Sequence, residues 1–229
     1  MNKLDNNMFT PNRSVNTASM VMILIGILSC AFAFFSDTHA AWTNLLFNNY
    51  FFLGISLFAV FFVALQHVSE AGWSTVLKRV PEAIMTFLPF TAAVMLFIVI
   101  AATMHWNHIY HWLAEGIMDP ESHHYDKIIA GKEAYLNSTF FLIRSFIYVF
   151  IWIYCARRLR QISLDGDAEG EIGEKSYWKG LRVSGWFIVL FAITSSTAAW
   201  DWIMSIDTHW FSTLFGWYIF SEWATIGFA

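Results

Sequence analysis

The chain is poor in charge, in cysteine and in proline. Only 13% of its 229 residues are charged, about half of the ~25% usual in a soluble domain. Its 23 Phe and 12 Trp bring more apolar surface than one water-soluble core of this length can hide. A soluble globular enzyme, a nucleic-acid binder and a disordered region are excluded on this ground. The formal net charge of −4 points to no particular partner. Cys30 and Cys155 both lie in apolar runs. Two thiols are too few for an iron–sulfur cluster, and no CxxCH is present for covalent haem attachment. Redox centres that work with this protein must then sit mostly on other chains. The phosphate-cradling GxxxxGK[ST] is missing too, which argues against ATP-driven transport.

What the chain does have is apolar sequence in long runs, 57% hydrophobic with a mean hydropathy of +0.50. Six runs, about 18–35, 50–67, 82–104, 138–156, 183–202 and 210–229, approach the ~20 residues that cross a bilayer core as helix. They are continuous rather than alternating, unlike barrel strands. The expected fold class is therefore all-α, a polytopic transmembrane helix bundle. A leader (1–17) precedes four spans (18–156, with an outer loop 105–137), a linker (157–182) and two more spans (183–229). The first run is not read as a signal peptide, because Asp5 lies in its leader and further spans follow. The last run stops at Ile226-Gly227-Phe228-Ala229 without a polar flank. The expectation is that this is the N-terminal part of a longer bundle.

Basic residues sort between alternate connections. Lys3, Arg13, Lys78, Arg79, Arg157, Arg158, Arg160, Lys175, Lys179 and Arg182 fall on one side. Only Lys127 and Lys132 fall on the other, with Arg144 inside a span. The positive-inside rule then places the N-terminus in the cytoplasm. Trp106, Trp112, Trp200, Trp202 and Trp210 gather at the outer ends of spans, as an interfacial aromatic belt does. The outer loop 105–137 holds five carboxylates against two lysines. It reads as a docking surface for an extrinsic partner or as a plain solvated loop. The linker, RRLR followed by LDGDAEGEIGEK, reads as a mobile cytoplasmic segment.

Ionisable groups in a hydrocarbon core are costly, so each is a candidate site. Glu222 lies about 18 Å down the sixth run, and Thr194, Ser195, Ser196 and Thr197 line the run before it. A carboxyl beside a hydroxyl ladder can relay protons, or can simply glue two helices. Arg144 lies near the outer end of the fourth run. It can pair with Asp201 or Asp207 to hold the bundle, or serve a quinone head group or proton exit. His67, Glu70 and Glu82 meet near the cytoplasmic ends of the second and third runs. They are either a proton-collecting mouth or ordinary interfacial residues, and Pro89 is expected to kink the third helix. His105, His108 and His111 repeat every third residue, a spacing that suits a metal less well than an aromatic surface helix. His123 and His124 read as solvated.

The segment TSSTAAWDWIMSIDTHWFSTLFGWYIF, residues 194–220, resembles the hallmark of the F subunit of bacterial alternative complex III, a quinol:cytochrome c oxidoreductase. Trp200 to Thr213 carries the resemblance most specifically. HVSEAGWS (67–74) and RVPEAI (79–84) are similar as well, and family members have about ten helices. The resemblance implies a membrane subunit of the polysulfide-reductase-like superfamily that holds no cofactor of its own, quinone being the one small molecule at issue. It implies a bacterial inner membrane, and partners that carry c-type haems and iron–sulfur clusters. A paralogous membrane subunit would oxidise menaquinol or another quinol, and electrons would pass to cytochrome c or a terminal oxidase. This subunit's own work would be structural, with a proton path or a quinone site as its further options. His67, Glu70, Asp201, Asp207, His209 and Glu222 are the polar groups to test. Membrane lipids surround such a subunit, and no nucleic acid is involved. Two other classes remain open on the residues alone: a dihaem cytochrome b-type quinol oxidoreductase and a secondary transporter.

Overall fold

The computed structural model describes residues 12–168 and 174–229. The leader up to residue 11 and the acidic stretch 169–173 of the linker lie outside them. Among the described residues there is no strand, and the chain is a series of helices. The all-α bundle expected from the apolar runs is what forms.

The chain divides into two units, 1–44 and 45–229. The first contains α1 (Arg13–Ser36) and the start of α2 (Thr38–Val68). Asn12 caps α1 by accepting from Ser14 N. Asp37 ends α1 in an extended conformation, and its Oδ1 accepts from Ala40 N at 3.0 Å, capping α2. One acidic residue thus closes one helix and opens the next, in the position where a carboxylate suits a helix N-terminus. The expected connection 36–49 shrinks to this single residue because 38–49 contains no Gly or Pro to stop α2 from starting early. Phe34 and Trp42 meet edge-on across the break, with ring centroids 5.1 Å apart.

The second unit holds the rest of α2, then α3 (Arg79–Ile84), α4 (Leu88–Thr103), α5 (Lys127–Ala130), α6 (Ser138–Ala168), α7 (Glu174–Trp202) and α8 (Phe215–Phe228). A 3₁₀ turn, Met85–Phe87, separates α3 from α4. It sits just ahead of Pro89, whose ring excludes the carbonyl four residues earlier and which donates no N–H. The disturbance foreseen at Pro89 is therefore a local tightening of the helix in front of it. The linker 157–182 is helical wherever it is described, since α6 runs to Ala168 and α7 starts at Glu174.

Five stretches are long and apolar enough to cross a membrane: Arg13–Ser36, Thr38–Val68, Arg79–Thr103, Ser138–Asp167 and Lys175–Ile206. Six were expected. The sixth, α8, has 14 residues, about 21 Å of helix, and begins at Phe215 because 203–214 is spent on turns. Phe90, Phe97, Phe150, Trp186 and Ile193 point outward from these helices. Water would penalise such apolar side chains, whereas lipid accepts them.

In lipid, helices gain from close approach and from polar contacts more than from hydrophobic burial. Two glycines show this. A Cβ on Gly54 of α2 would overlap the Trp223 ring of α8, and one on Gly216 of α8 would come within 2.8 Å of Ser196 on α7. The bare backbones let α8 lie against both neighbours. The core is aromatic: Trp152 of α6 packs edge-on against Trp202 of α7, and both are fully buried, as are Phe141 and Phe187.

Candidate functional site

Asp201 lies in the last turn of α7 and is 0% exposed. Burial and the negative end of the helix dipole both oppose a carboxylate there. Arg144, 7% exposed on α6, answers both. Its Nε donates to Asp201 Oδ2 at 2.8 Å and its Nη2 to Oδ1 at 2.9 Å, a bidentate fork. The third guanidinium nitrogen, Nη1, donates to the Tyr135 carbonyl at 3.1 Å. Tyr148, one turn along α6, donates its hydroxyl to Asp201 Oδ2 at 2.9 Å. The guanidinium also sits 3.9 Å from the Tyr135 ring centroid and 4.1 Å from that of Phe140. Both charges are fully engaged, the condition under which a buried pair holds.

The cluster extends sideways along both helices. Trp202 Nε1 donates to Ser145 Oγ at 2.9 Å, and Trp152 Nε1 to Thr194 Oγ1 at 2.8 Å. The rings of Tyr148, Trp152 and Trp202 pack with centroids 5.7–6.2 Å apart. Arg144 and Asp201 thus form the polar centre of an otherwise aromatic seam.

Four contacts tie the loop 105–137 to the segment after Ala199. Three join the two directly: Tyr110 donates its hydroxyl to the Trp202 carbonyl at 3.0 Å, Lys132 Nζ donates to the Thr208 carbonyl at 2.5 Å, and Asp126 Oδ2 lies 2.6 Å from His209 Nε2. The fourth runs through Arg144, from the Tyr135 carbonyl to Asp201. Asp126 also caps α5 through Ile128 N and Ile129 N. The Ile129 N–H, and then His209, hold its carboxyl below the usual aspartate value. Burial pushes the phenols of Tyr110 and Tyr135 well above the usual tyrosine range, with the nearby Asp201 charge adding to it.

Elsewhere the candidates are kept apart. Asp207 accepts from His209 N at 3.1 Å and leaves Arg144 to Asp201. Glu222 is exposed and makes no hydrogen bond or ion pair among the described residues; α8 starts late, so it lies about 11 Å along that helix. The hydroxyls serve their own helix: Thr194 donates to Leu190 O, Ser196 to Ala192 O, and Thr197 to Ile193 O. Ser195 is buried. No ladder from these hydroxyls to Glu222 is built. Among the described residues no hydrogen bond or ion pair joins His67, Glu70 and Glu82 to one another. His67 Nδ1 lies 2.9 Å from Val63 O, with its ring beside Gly180, and Glu70 lies beside Tyr177. Glu82, 4% exposed, accepts from Arg79 Nη1 at 2.5 Å. Arg79 also pairs with Asp167, as does Lys78 at 2.9 Å. That end therefore carries a second ionic tie, between the start of α3 and the end of α6. No group of three or more His, Cys, Asp or Glu among the described residues is placed to hold a metal ion, the histidines of 105–111 included.

Sequence reasoning missed Tyr148, Tyr135, Tyr110, Asp126 and Lys132 as site residues. Tyr148 stands four residues from Arg144 and shares its helix face, so its spacing could have flagged it. The other four lie in the irregular loop 105–137, where no periodicity points inward.

No protein-family model matches the chain, and no curated protein matches it at a significant level.

Proposed function

We propose that this chain is an integral membrane subunit of a quinol-oxidising respiratory complex of the alternative complex III kind, and that its task is structural. It would present its outer loop to partners that carry c-type haems and iron–sulfur clusters, while a paralogous membrane subunit oxidises the quinol. One observation carries this reading. The stretch that resembles the F subunit, Trp200 to Thr213, is the same stretch on which the outer loop is fastened, through Asp201, Trp202, Thr208 and His209. A motif spent on fixing a loop at the end of a bundle suits a docking platform.

A structural task is also favoured over proton conduction by chemistry. A relay needs groups that can hand a proton on to one another. Here the hydroxyls of α7 donate to backbone carbonyls, and none of them bonds to Glu222. Asp201 is bound by three donors from Arg144 and Tyr148, so taking up a proton would break the pair that stabilises it.

Affinity purification of the tagged chain from its native membrane in mild detergent tests the proposal. Haem-bearing and iron–sulfur-bearing chains should travel with it in fixed proportion. A chain that isolates alone, with b-type haem absorbance of its own or with solute uptake after reconstitution, would contradict it.

A further inference from the structure

Lys132 differs from the other charged side chains that the fold draws into contact. Arg79, Arg144 and Lys78 each meet a carboxylate. Lys132 is half-buried and meets none within ion-pair distance among the described residues; its ammonium donates to the Thr208 carbonyl and lies 5.9 Å from the Phe211 ring centroid. Among the described residues, two of its three N–H donors remain unspent. A partly desolvated cation of this kind gains from an anion that the chain itself does not supply.

Beside it is a pocket of about 390 Å³, lined by Lys132 together with Trp200, Met204, Ser205, Trp210 and Phe211 among others, and no carboxylate among the described residues lines it. Its volume lies in the range of small-ligand sites, ~300–1,000 Å³. The Trp200 indole N–H nearby is shielded and has no acceptor among the described residues, and the ammonium of Lys132 is the one charge the lining carries. Trp210 and Phe211 form an exposed aromatic rim. The pocket sits where α6 begins and α7 ends, at the ends of two stretches able to cross a membrane. A cation and spare donors call for an anionic acceptor, while the walls call for an apolar body attached to it. At the edge of a bilayer one molecule offers both.

We propose that this pocket binds the phosphate of an anionic phospholipid, with Lys132 as its counter-charge. The phosphodiester supplies one negative charge and several acceptor oxygens, and the acyl chains continue over the aromatic rim into the bilayer. A zwitterionic lipid brings its own ammonium toward Lys132 and is disfavoured. Free phosphate shares the anion chemistry but leaves the apolar walls unused. This site is independent of the respiratory assignment.

Native mass spectrometry of the full, delipidated chain, offered phosphatidylglycerol or phosphatidylcholine in equal amounts, tests it. Phosphatidylglycerol should be retained preferentially, by about five-fold for one basic contact. Lys132→Gln, which keeps a donor for Thr208, should erase that preference, and Lys132→Arg should keep it. Excess inorganic phosphate should not displace the lipid. Equal retention of the two lipids, a preference that survives Lys132→Gln, or displacement by inorganic phosphate would each overturn the proposal. If the Gln variant does not fold, a photoactivatable phosphatidylglycerol decides on the wild-type chain. Labelling within 131–136 or 200–211 supports the site, and labelling confined elsewhere overturns it.

Discussion

At the residue scale, the pairing of Arg144 with Asp201 sets the energetics of the bundle end where α6 begins and α7 ends. Each partner alone would be a buried, uncompensated charge, so Arg144→Leu should cost ~3–5 kcal/mol in detergent unfolding experiments. Arg144→Lys should recover only part of this, because a single ammonium cannot reproduce the two parallel bonds to Asp201 or the stacking on Tyr135 and Phe140. Asp126 yields a second expectation with a definite sign. Its pKa is lowered in the folded chain, so its stabilising contribution is complete above the ordinary aspartate value of 3.8 and is lost as pH falls through the lower folded value. Thermal unfolding of wild type and Asp126→Asn should therefore differ at neutral pH and converge in acid. A constant difference down to the lowest pH would contradict the assignment. The sequence showed the chemical types at this scale but not their partners. Arg144 had two aspartates in range, Asp201 and Asp207, and the choice fell to Asp201 because 203–209 turns away after Trp202 and leaves Asp207 to bond His209.

At the element scale, hydrophobic runs located every long helix, since a stretch without charge has no other stable place in a bilayer. Their ends were harder to read. α1 and α2 extend until one aspartate separates them, and α6 and α7 continue beyond the apolar runs. Apolarity reports where lipid is, whereas a helix persists until a cap or a breaker stops it. The late start of α8 has a functional consequence, because it shifts the depth of Glu222 and removes the basis for pairing it with the α7 hydroxyls. Glu222→Gln should leave both unfolding and the turnover of the proposed complex unchanged; a strong loss of turnover would restore a proton-path role. The Gly54–Trp223 contact is where α8 meets α2. Gly54→Val should push Trp223 aside at a cost of ~1–3 kcal/mol, as overpacking does, measured by unfolding of the detergent-solubilised chain. No change would mean that α8 is not held by this contact.

At the scale of the whole molecule, two polar ties stand at opposite ends of an apolar bundle. One joins Lys78, Arg79, Glu82 and Asp167; the other joins Arg144, Asp201 and Tyr148. Between them the helices meet through small residues and aromatic rings, so the ionic ties fix register where lipid packing alone is permissive. The membrane character of the protein was legible from composition, because too few charged residues remain to cover a soluble surface. The loop anchorage was not, because it depends on contacts between residues tens of positions apart, such as Tyr110 with Trp202 and Asp126 with His209. The proposed docking role requires that the tie between Arg144 and Asp201 shape a platform for partner subunits. The most direct measurement is the amount of c-type haem and iron that co-purifies with the tagged chain, compared between wild type and Asp201→Asn at equal levels of membrane-inserted protein. Wild type should carry both, and the variant should lose them while its helices stay inserted. Equal haem and iron on the two proteins, or none on either, would contradict the docking role.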